Sequence, residues 1–212
     1  FKNDSIMKKL LILLFSLFLL SSPSVNADDI SDFQIEGISI GDSLLDYMTE
    51  DEILDAIENS ERYYFLNEPN KFAEIYLKKD LLKYDDLSVF IKTELSNQYI
   101  TNKNDKYAIH SVRGLINYIE DFDGCIVQRD EIVEVFPGMF PNTQKEEHKL
   151  IHAADPSGDS ITDGVYLYFD SGASMSTVCI DYEETFRVEK NWADTLNVVI
   201  QNEEIVSWFR DN

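Results

Sequence analysis

The chain contains 212 residues, of which 44% are hydrophobic and 12% are aromatic, a composition that excludes a disordered chain. Aspartate and glutamate number 40 against 18 lysines and arginines, so the formal net charge is −22. Because nucleic acids and anionic lipid surfaces are bound by basic patches, we expect neither as a partner.

The N-terminal residues have the pattern of a secretory signal peptide. Two lysines precede an apolar run over residues 10–20, and residues 25–27 (VNA) present the small side chains that signal peptidase requires. The run is shorter than the roughly 20 apolar residues that span a bilayer, so we expect cleavage and no membrane anchor. The sequence therefore predicts an upstream extension and signal peptide over residues 1–27, followed by a single α+β domain over residues 28–212.

The first half of this domain is predicted to contain a helix and a hairpin. A short helical segment starts at Ser43, and a capping box formed by Thr49 and Glu52 begins the next helix. Alternating apolar and polar residues predict two strands, at 73–78 and 87–92, which would pair as a hairpin.

A loop and a second set of elements follow. The polar residues 96–106 predict a loop, where a seam between subdomains would lie. Beyond it the predicted order is a strand (107–118), a helix (122–136), three strands (165–170, 175–182 and 196–201) and a helix capped by Asn202. We expect a β-bulge at Gly114 and the end of the first of these helices at Pro137. This order predicts an α+β fold with a largely antiparallel sheet and helices packed on one face.

The two cysteines, Cys125 and Cys179, fall in the first turn of a predicted helix and in a predicted strand. An even number of cysteines in an exported chain predicts a disulfide, which would staple the helix to the sheet. Closing a loop of about 55 residues would stabilise the fold by about 4 kcal/mol in the chain-entropy model. Two buried thiols are the alternative, because spacing in the sequence does not establish that the two Cα atoms lie within reach.

Residues 41–44 (GDSL) resemble the opening block of the GDSL (SGNH) esterases, and the resemblance implies a hydrolase with Ser43 as its nucleophile. A serine hydroxyl needs a base, which these enzymes supply from an Asp-x-x-His block, together with a Gly-x-Asn-Asp block for the oxyanion. The sequence contains neither block. We therefore reject the esterase assignment and interpret residues 41–44 as a turn into a helix, with Ser43 or Asp42 as its N-cap.

A second group of residues carries the side chains of a metal site. These candidates are His148, His152, Asp155, Asp159 and Asp163. We interpret the segment as a strand entering a loop, where histidines four residues apart lie about 13 Å from each other, too far to share an ion. The aspartates lack the spacing of a calcium loop. We therefore expect a solvated hairpin loop and no cofactor; the alternative is a hydrolase or an acidic metal-binding protein that uses Ser43 or residues 148–163.

Blocks spread through residues 28–212 are similar to a family of small, uncharacterised exported proteins of marine bacteria. These blocks are residues 35–47 (IEGISIGDSLLDY), Cys125 with 131–132 (EI), 140–142 (FPN), 171–172 (SG), 179–181 (CID) and 192–196 (WADTL). The resemblance implies export and a shared fold but no catalytic residue. We expect a soluble, non-enzymatic module, periplasmic or secreted, that binds an envelope protein or a small ligand.

Overall fold

The structure is a computed structural model that describes residues 30–60, 63, 66–78, 80–93 and 106–211. The predicted signal peptide and residues 96–105 of the predicted loop lie outside these ranges. No helix within them is long and apolar enough to cross a lipid bilayer.

Among the described residues, seven strands form one antiparallel sheet. The strands are β1 (Phe72–Tyr76), β2 (Asp86–Lys92), β3 (Ile109–Asn117), β4 (Gln144–Ile151), β5 (Ile161–Tyr168), β6 (Ser174–Asp181) and β7 (Thr195–Gln201). Their order across the sheet is β1-β2-β3-β7-β6-β5-β4. After β3 the chain crosses to the far edge at β4 and returns strand by strand, so that β7 pairs with β3 in the middle. The predicted α+β class with an antiparallel sheet is confirmed.

The longer helices begin at side chains that satisfy their free amides. The helices are α1 (Glu50–Asn59), α2 (Phe122–Glu134), α3 (Phe136–Met139), α4 (Glu184–Lys190) and α5 (Glu203–Arg210). Thr49 and Glu52 form the predicted capping box at α1, Asp121 caps α2, and Asn202 caps α5 as predicted. The helical path continues for one turn past the predicted end at Pro137, because proline is tolerated in the first turn of a helix.

One face of the sheet, which we call the covered face, lies under α1, α2 and α3. Its side chains come from alternate residues of each strand, such as Val112, Ile200 and Met175 in register across β3, β7 and β6. Cys125 in α2 and Cys179 in β6 form a disulfide across this layer, with their Cα atoms 5.9 Å apart. The predicted bridge is confirmed, and it joins the helix to the sheet as expected.

The C-terminal helix α5 packs on the opposite face, over β1, β2 and β3. Ile205 and Trp208 of this helix are buried against Phe90 and neighbouring rings in a second, separate cluster. The registers align Phe90 with Ser111, Gln201 and Ser174 across the sheet. Ser174 and Cys179 lie an odd number of residues apart in β6, so their side chains are on opposite faces. Phe90 therefore lies on the face opposite to the disulfide. The helices thus lie on both faces of the sheet, not on one as we expected. The reason is that Phe72 of β1 and Phe90 of β2 lie on the face opposite to α2, and α5 buries them there.

Three local features differ from the prediction. The predicted order of elements does not include β4 or α4. We interpreted the segment at His148 only as a strand entering a loop, because every side chain of β4 is exposed and no alternation marks it. Helix α4 is short and buries only Phe186. The bulge at Gly114 is wrong, because Gly114 pairs regularly with Leu87 and the register shifts at Phe90. Close approach explains the glycine, since a Cβ at this position would lie 2.5 Å from the ring of Tyr84.

Candidate functional site

Ser43, the nucleophile that the esterase resemblance implies, is a buried capping residue. Its Oγ donates a hydrogen bond to the carbonyl of Lys106 at 2.7 Å and accepts one from the amide of Leu45 at 3.3 Å. These bonds cap the short 3-10 turn Leu44–Asp46, as we predicted for this segment. All three histidines lie within the described ranges, and they bond to Glu146, Ala154 and Asn202, so none of them is placed as the base of Ser43.

The five candidate metal ligands do not converge. His148 lies in β4, as predicted for a strand, and its Nε2 bonds to Glu146 at 3.0 Å. Asp163 lies on the opposite face of β5, where it forms ion pairs with Arg129 of α2 and with Lys149. His152, Asp155 and Asp159 follow β4 in the turn that leads to β5. Within the described ranges, no three His, Cys, Asp or Glu residues form a group that could hold a metal ion.

Asp155 organises the turn between β4 and β5. Its carboxylate accepts hydrogen bonds from the hydroxyls of Ser157 and Ser160, each at 2.7 Å, and from both of their amides. The hydroxyl of Ser160, followed by that of Ser157, holds the pKa of Asp155 well below its ordinary range. The carboxylate is therefore ionised at neutral pH and engaged in the turn, and this contribution to stability is lost only as the pH falls below the ordinary aspartate range.

His152 belongs to an aromatic cluster at the end of β6. Its ring lies 4.9 Å from Tyr182 and 6.0 Å from Trp192, and Phe186 of α4 lies 5.4 Å from Trp192. Burial lowers the pKa of His152, opposed by the charge of Asp155, and its Nδ1 accepts a hydrogen bond from the amide of Ala154. Burial also raises the pKa of Tyr182 to about 12. The cluster therefore presents neutral rings at neutral pH, with Trp192 41% exposed.

A buried ion pair lies on the face that α5 partly covers. Glu74 of β1 accepts hydrogen bonds from the hydroxyls of Tyr63 and Ser88, each at 2.6 Å, and forms an ion pair with Arg113 of β3. Arg113 also donates to the hydroxyl of Tyr76 at 3.0 Å. These partners compensate the cost of removing both charges from water. The network links β1, β2 and β3, which explains why Glu74, Ser88 and Arg113 are polar.

The remaining part of this face, across β5, β6 and β7, is what we call the open face. Its residues alternate with those of the covered face; they are Thr162, Gly164, Tyr166, Tyr168, Ser174, Ser176, Val178, Ile180, Thr195, Asn197, Val199 and Gln201. None of them is charged, although 27% of all residues in the chain are. Within the described ranges, the main helix packing on β6 and β7 comes from α2, on the covered face. On the open face the side chains of Tyr166, Val178 and Val199 are partly exposed, whereas Ser174, Thr195 and Asn197 are buried.

Polar groups on the open face pair with one another. Asn197 donates a hydrogen bond to the hydroxyl of Thr195 at 2.9 Å. The partly exposed tyrosines and aliphatic side chains are therefore what the surface offers to a second molecule. A surface without charged residues and with partly exposed tyrosines, here Tyr166 and Tyr168 of β5, is typical of the core of a protein interface. In an acidic protein that needs charge to remain dispersed, such a surface is a functional candidate.

We did not single out these residues from the sequence. We expected helices on one face of the sheet, which would leave the other face solvated, and we assigned Val178 and Val199 no role. A signal was nevertheless present, because apolar residues occupy both alternating sets in these strands: Met175 and Cys179 in one, Val178 and Ile180 in the other. Strands that are apolar on both faces predict cover on both, and within the described ranges the main helix packing on β6 and β7 comes from α2 on one face.

Comparison of the chain with protein-family models, curated proteins and solved structures finds no match. The functional conclusion therefore depends on the residues described above.

Proposed function

We propose that the chain is a non-enzymatic binding module of the cell envelope or the extracellular space, and that it binds a partner protein on its open face. The observation that carries the proposal is the absence of charge on that partly exposed face in a chain of net charge −22. Removing charged side chains from water is costly, so surfaces that become fully buried on association are depleted of them.

The state of the reactive side chains supports binding over catalysis. Ser43 caps a turn, and Asp155 organises a second one. The carboxylate of Glu74 is paired with Arg113 inside the fold. Each group is committed to holding backbone or a neighbouring charge, whereas catalytic groups need a reacting atom within hydrogen-bond reach.

The disulfide supports the proposed compartment. Cys125 and Cys179 are bonded to each other, and such bridges persist in oxidising environments such as the bacterial periplasm and the extracellular medium. The apolar run over residues 10–20, read as a signal peptide, is consistent with the same destination.

The test compares two valine substitutions in the full chain, expressed in its native host and purified under native conditions. Val178→Lys places a charge on the open face, whereas Val127→Lys places it on α2, where Val127 is 58% exposed. We expect native mass spectrometry to detect an added protein mass with the wild type and with Val127→Lys, and to lose it with Val178→Lys.

Other outcomes would overturn the proposal. A partner retained by both variants would place the binding surface elsewhere, and a wild type that carries no added mass at any purification step would contradict the binding role. Thermal unfolding of each variant is the control for folding, since both substitutions are at exposed or partly exposed positions and leave the buried core unchanged.

A further inference from the structure

The strand β4 is the outer edge of the sheet in the part of the chain that the structure describes. Within the described ranges β4 pairs with β5 alone, and all of its side chains are exposed. Leu150 is 60% exposed and Ile151 is 65% exposed, so two adjacent aliphatic side chains contact solvent at this edge. An exposed edge of this kind presents free N–H and C=O groups to any strand that can pair with it.

The hydrogen bonds between β4 and β5 show which residues of β4 direct their N–H and C=O groups away from the sheet. The amide of His152 donates to the carbonyl of Ser160 at 2.8 Å, in continuation of the β4–β5 register. In an antiparallel ladder, alternate residues direct both backbone groups to the same neighbour. Even-numbered residues of β4 therefore face β5, and Lys145, Glu147 and Lys149 direct their backbone groups outward.

The edge is also neutral in a strongly acidic protein. Lys145 and Lys149 balance Glu146 and Glu147, whereas the whole chain carries 40 acidic residues against 18 basic ones. Lysines usually protect an edge strand by repelling another strand. Here they alternate with Glu147 on one face of β4, so a strand with the same pattern in the reverse direction meets opposite charges.

A second copy of the chain supplies such a strand, and the charges favour one register. A twofold axis perpendicular to the sheet keeps each face on its own side, so residues of the same parity are paired. With the axis at His148, Glu147 of each copy lies opposite Lys149 of the other. An axis at Glu147 would place glutamate against glutamate, and an axis at Lys149 would place lysine against lysine. An axis at Glu146 would pair Lys145 with Glu147 but would also place Glu146 against Glu146.

We propose that two copies of the chain associate by antiparallel pairing of their β4 strands, centred on His148, to form one continuous sheet. Backbone hydrogen bonds along the edge and the two symmetric Glu147–Lys149 pairs hold the contact. Both open faces then lie on the same side of the joined sheet, because the axis is perpendicular to it. The dimer depends on β4 alone and stands whether or not the open face binds a protein. An edge contact of this length is small, so the association depends on protein concentration.

Charge reversal tests both the contact and its register. Sedimentation equilibrium of the disulfide-bonded protein should show a concentration-dependent dimer for the wild type. Glu147→Lys and Lys149→Glu, tested singly, each place like charges opposite each other twice, and we expect each to weaken the dimer about tenfold or more. The double variant exchanges the two charges and should restore association toward the wild-type level.

The controls separate pairing between copies from effects within one chain. Glu147 already contacts Lys145 at 2.7 Å, and Lys149 lies 3.8 Å from Asp163, so each reversal also changes charges inside the chain. Those internal changes persist in the double variant, and restored association can only come from the second copy. Glu58→Lys on the exposed surface of α1 alters the net charge as Glu147→Lys does and should leave the dimer unchanged.

The proposal would be overturned by a wild type that is monomeric at every concentration measured, by a double variant that associates no better than either single variant, or by equal weakening by Glu58→Lys. Association that all charge variants leave intact would assign the contact to a different surface. All of these positions are exposed, so unchanged thermal unfolding should accompany each variant.

Discussion

The covered and open faces of the sheet are built from the same strands and differ in what lies over them. In β6, Met175 and Cys179 point toward α2 and belong to the main core. The alternate residues Val178 and Ile180 belong to the open face and are partly exposed. One strand therefore contributes equally apolar side chains to a layer that stabilises the fold and to a surface that the described fold leaves unused.

This difference separates stability from binding in the molecule. Burial of apolar area contributes roughly 25 cal/mol per Å² only where water is removed, so the covered face provides most of the folding energy. Apolar residues on the open face stay partly exposed after folding, so they contribute less to the free energy of folding. Burial of their remaining exposed area would stabilise association with a second molecule. We expect substitutions on the covered face to change stability, and those on the open face to change binding.

Loss of the disulfide should give the largest effect on the covered face. Replacing Cys125 and Cys179 together by alanine removes a link between residues separated by 54 positions. We expect the free energy of unfolding to fall by about 4 kcal/mol, and the Tm to fall on the order of 10 °C. Urea denaturation measures the first quantity, and a loss below about 1 kcal/mol would show that packing alone holds α2 in place.

Truncation of Trp208 should be the next largest effect, and it acts on the part of the second face that α5 covers. Trp208 is 1% exposed, and its Nε1 donates to the carbonyl of Glu68 at 2.9 Å. We expect Trp208→Ala to lower the free energy of unfolding by about 3 kcal/mol. Trp192→Ala is the matched control and should cost about 1 kcal/mol, because that ring is 41% exposed. Equal losses in chemical denaturation would contradict the assigned burial.

Much of the fold follows from the sequence because its signals are local. Thr49 and Glu52 form a capping box from spacing alone, and Asn202 begins α5 for the same reason. The pairing of Cys125 with Cys179 needed only an even count and one possible partner. We interpreted the segment at His148 as a strand but gave it no place in the order of elements, because an edge strand with two solvated faces has no hydrophobic period.

The candidate sites could not be predicted in the same way, because they depend on contacts between distant strands. Glu74 and Arg113 each lie on the face of their strand opposite to α2. Only the register of β1, β2 and β3 brings them together. The open face depends on which face α5 covers, and that was the feature of the fold we expected differently. Periodicity shows that a strand has two faces but not which helix lies over each.

A pair of valine truncations provides the most direct comparison of the two faces, with the smallest expected effects. Val198 of β7 is buried in the main core, whereas Val178 of the neighbouring strand β6 lies on the open face. We expect Val198→Ala to lower the free energy of unfolding by about 2 kcal/mol, since it removes two buried methyl groups and leaves a cavity. Val178→Ala should cost less than about 1 kcal/mol, because the side chain is partly hydrated before and after unfolding. Urea denaturation of both variants measures the difference. If Val178→Ala cost as much as Val198→Ala, the open face would be covered in the folded protein, and the basis for the proposed binding surface would be lost.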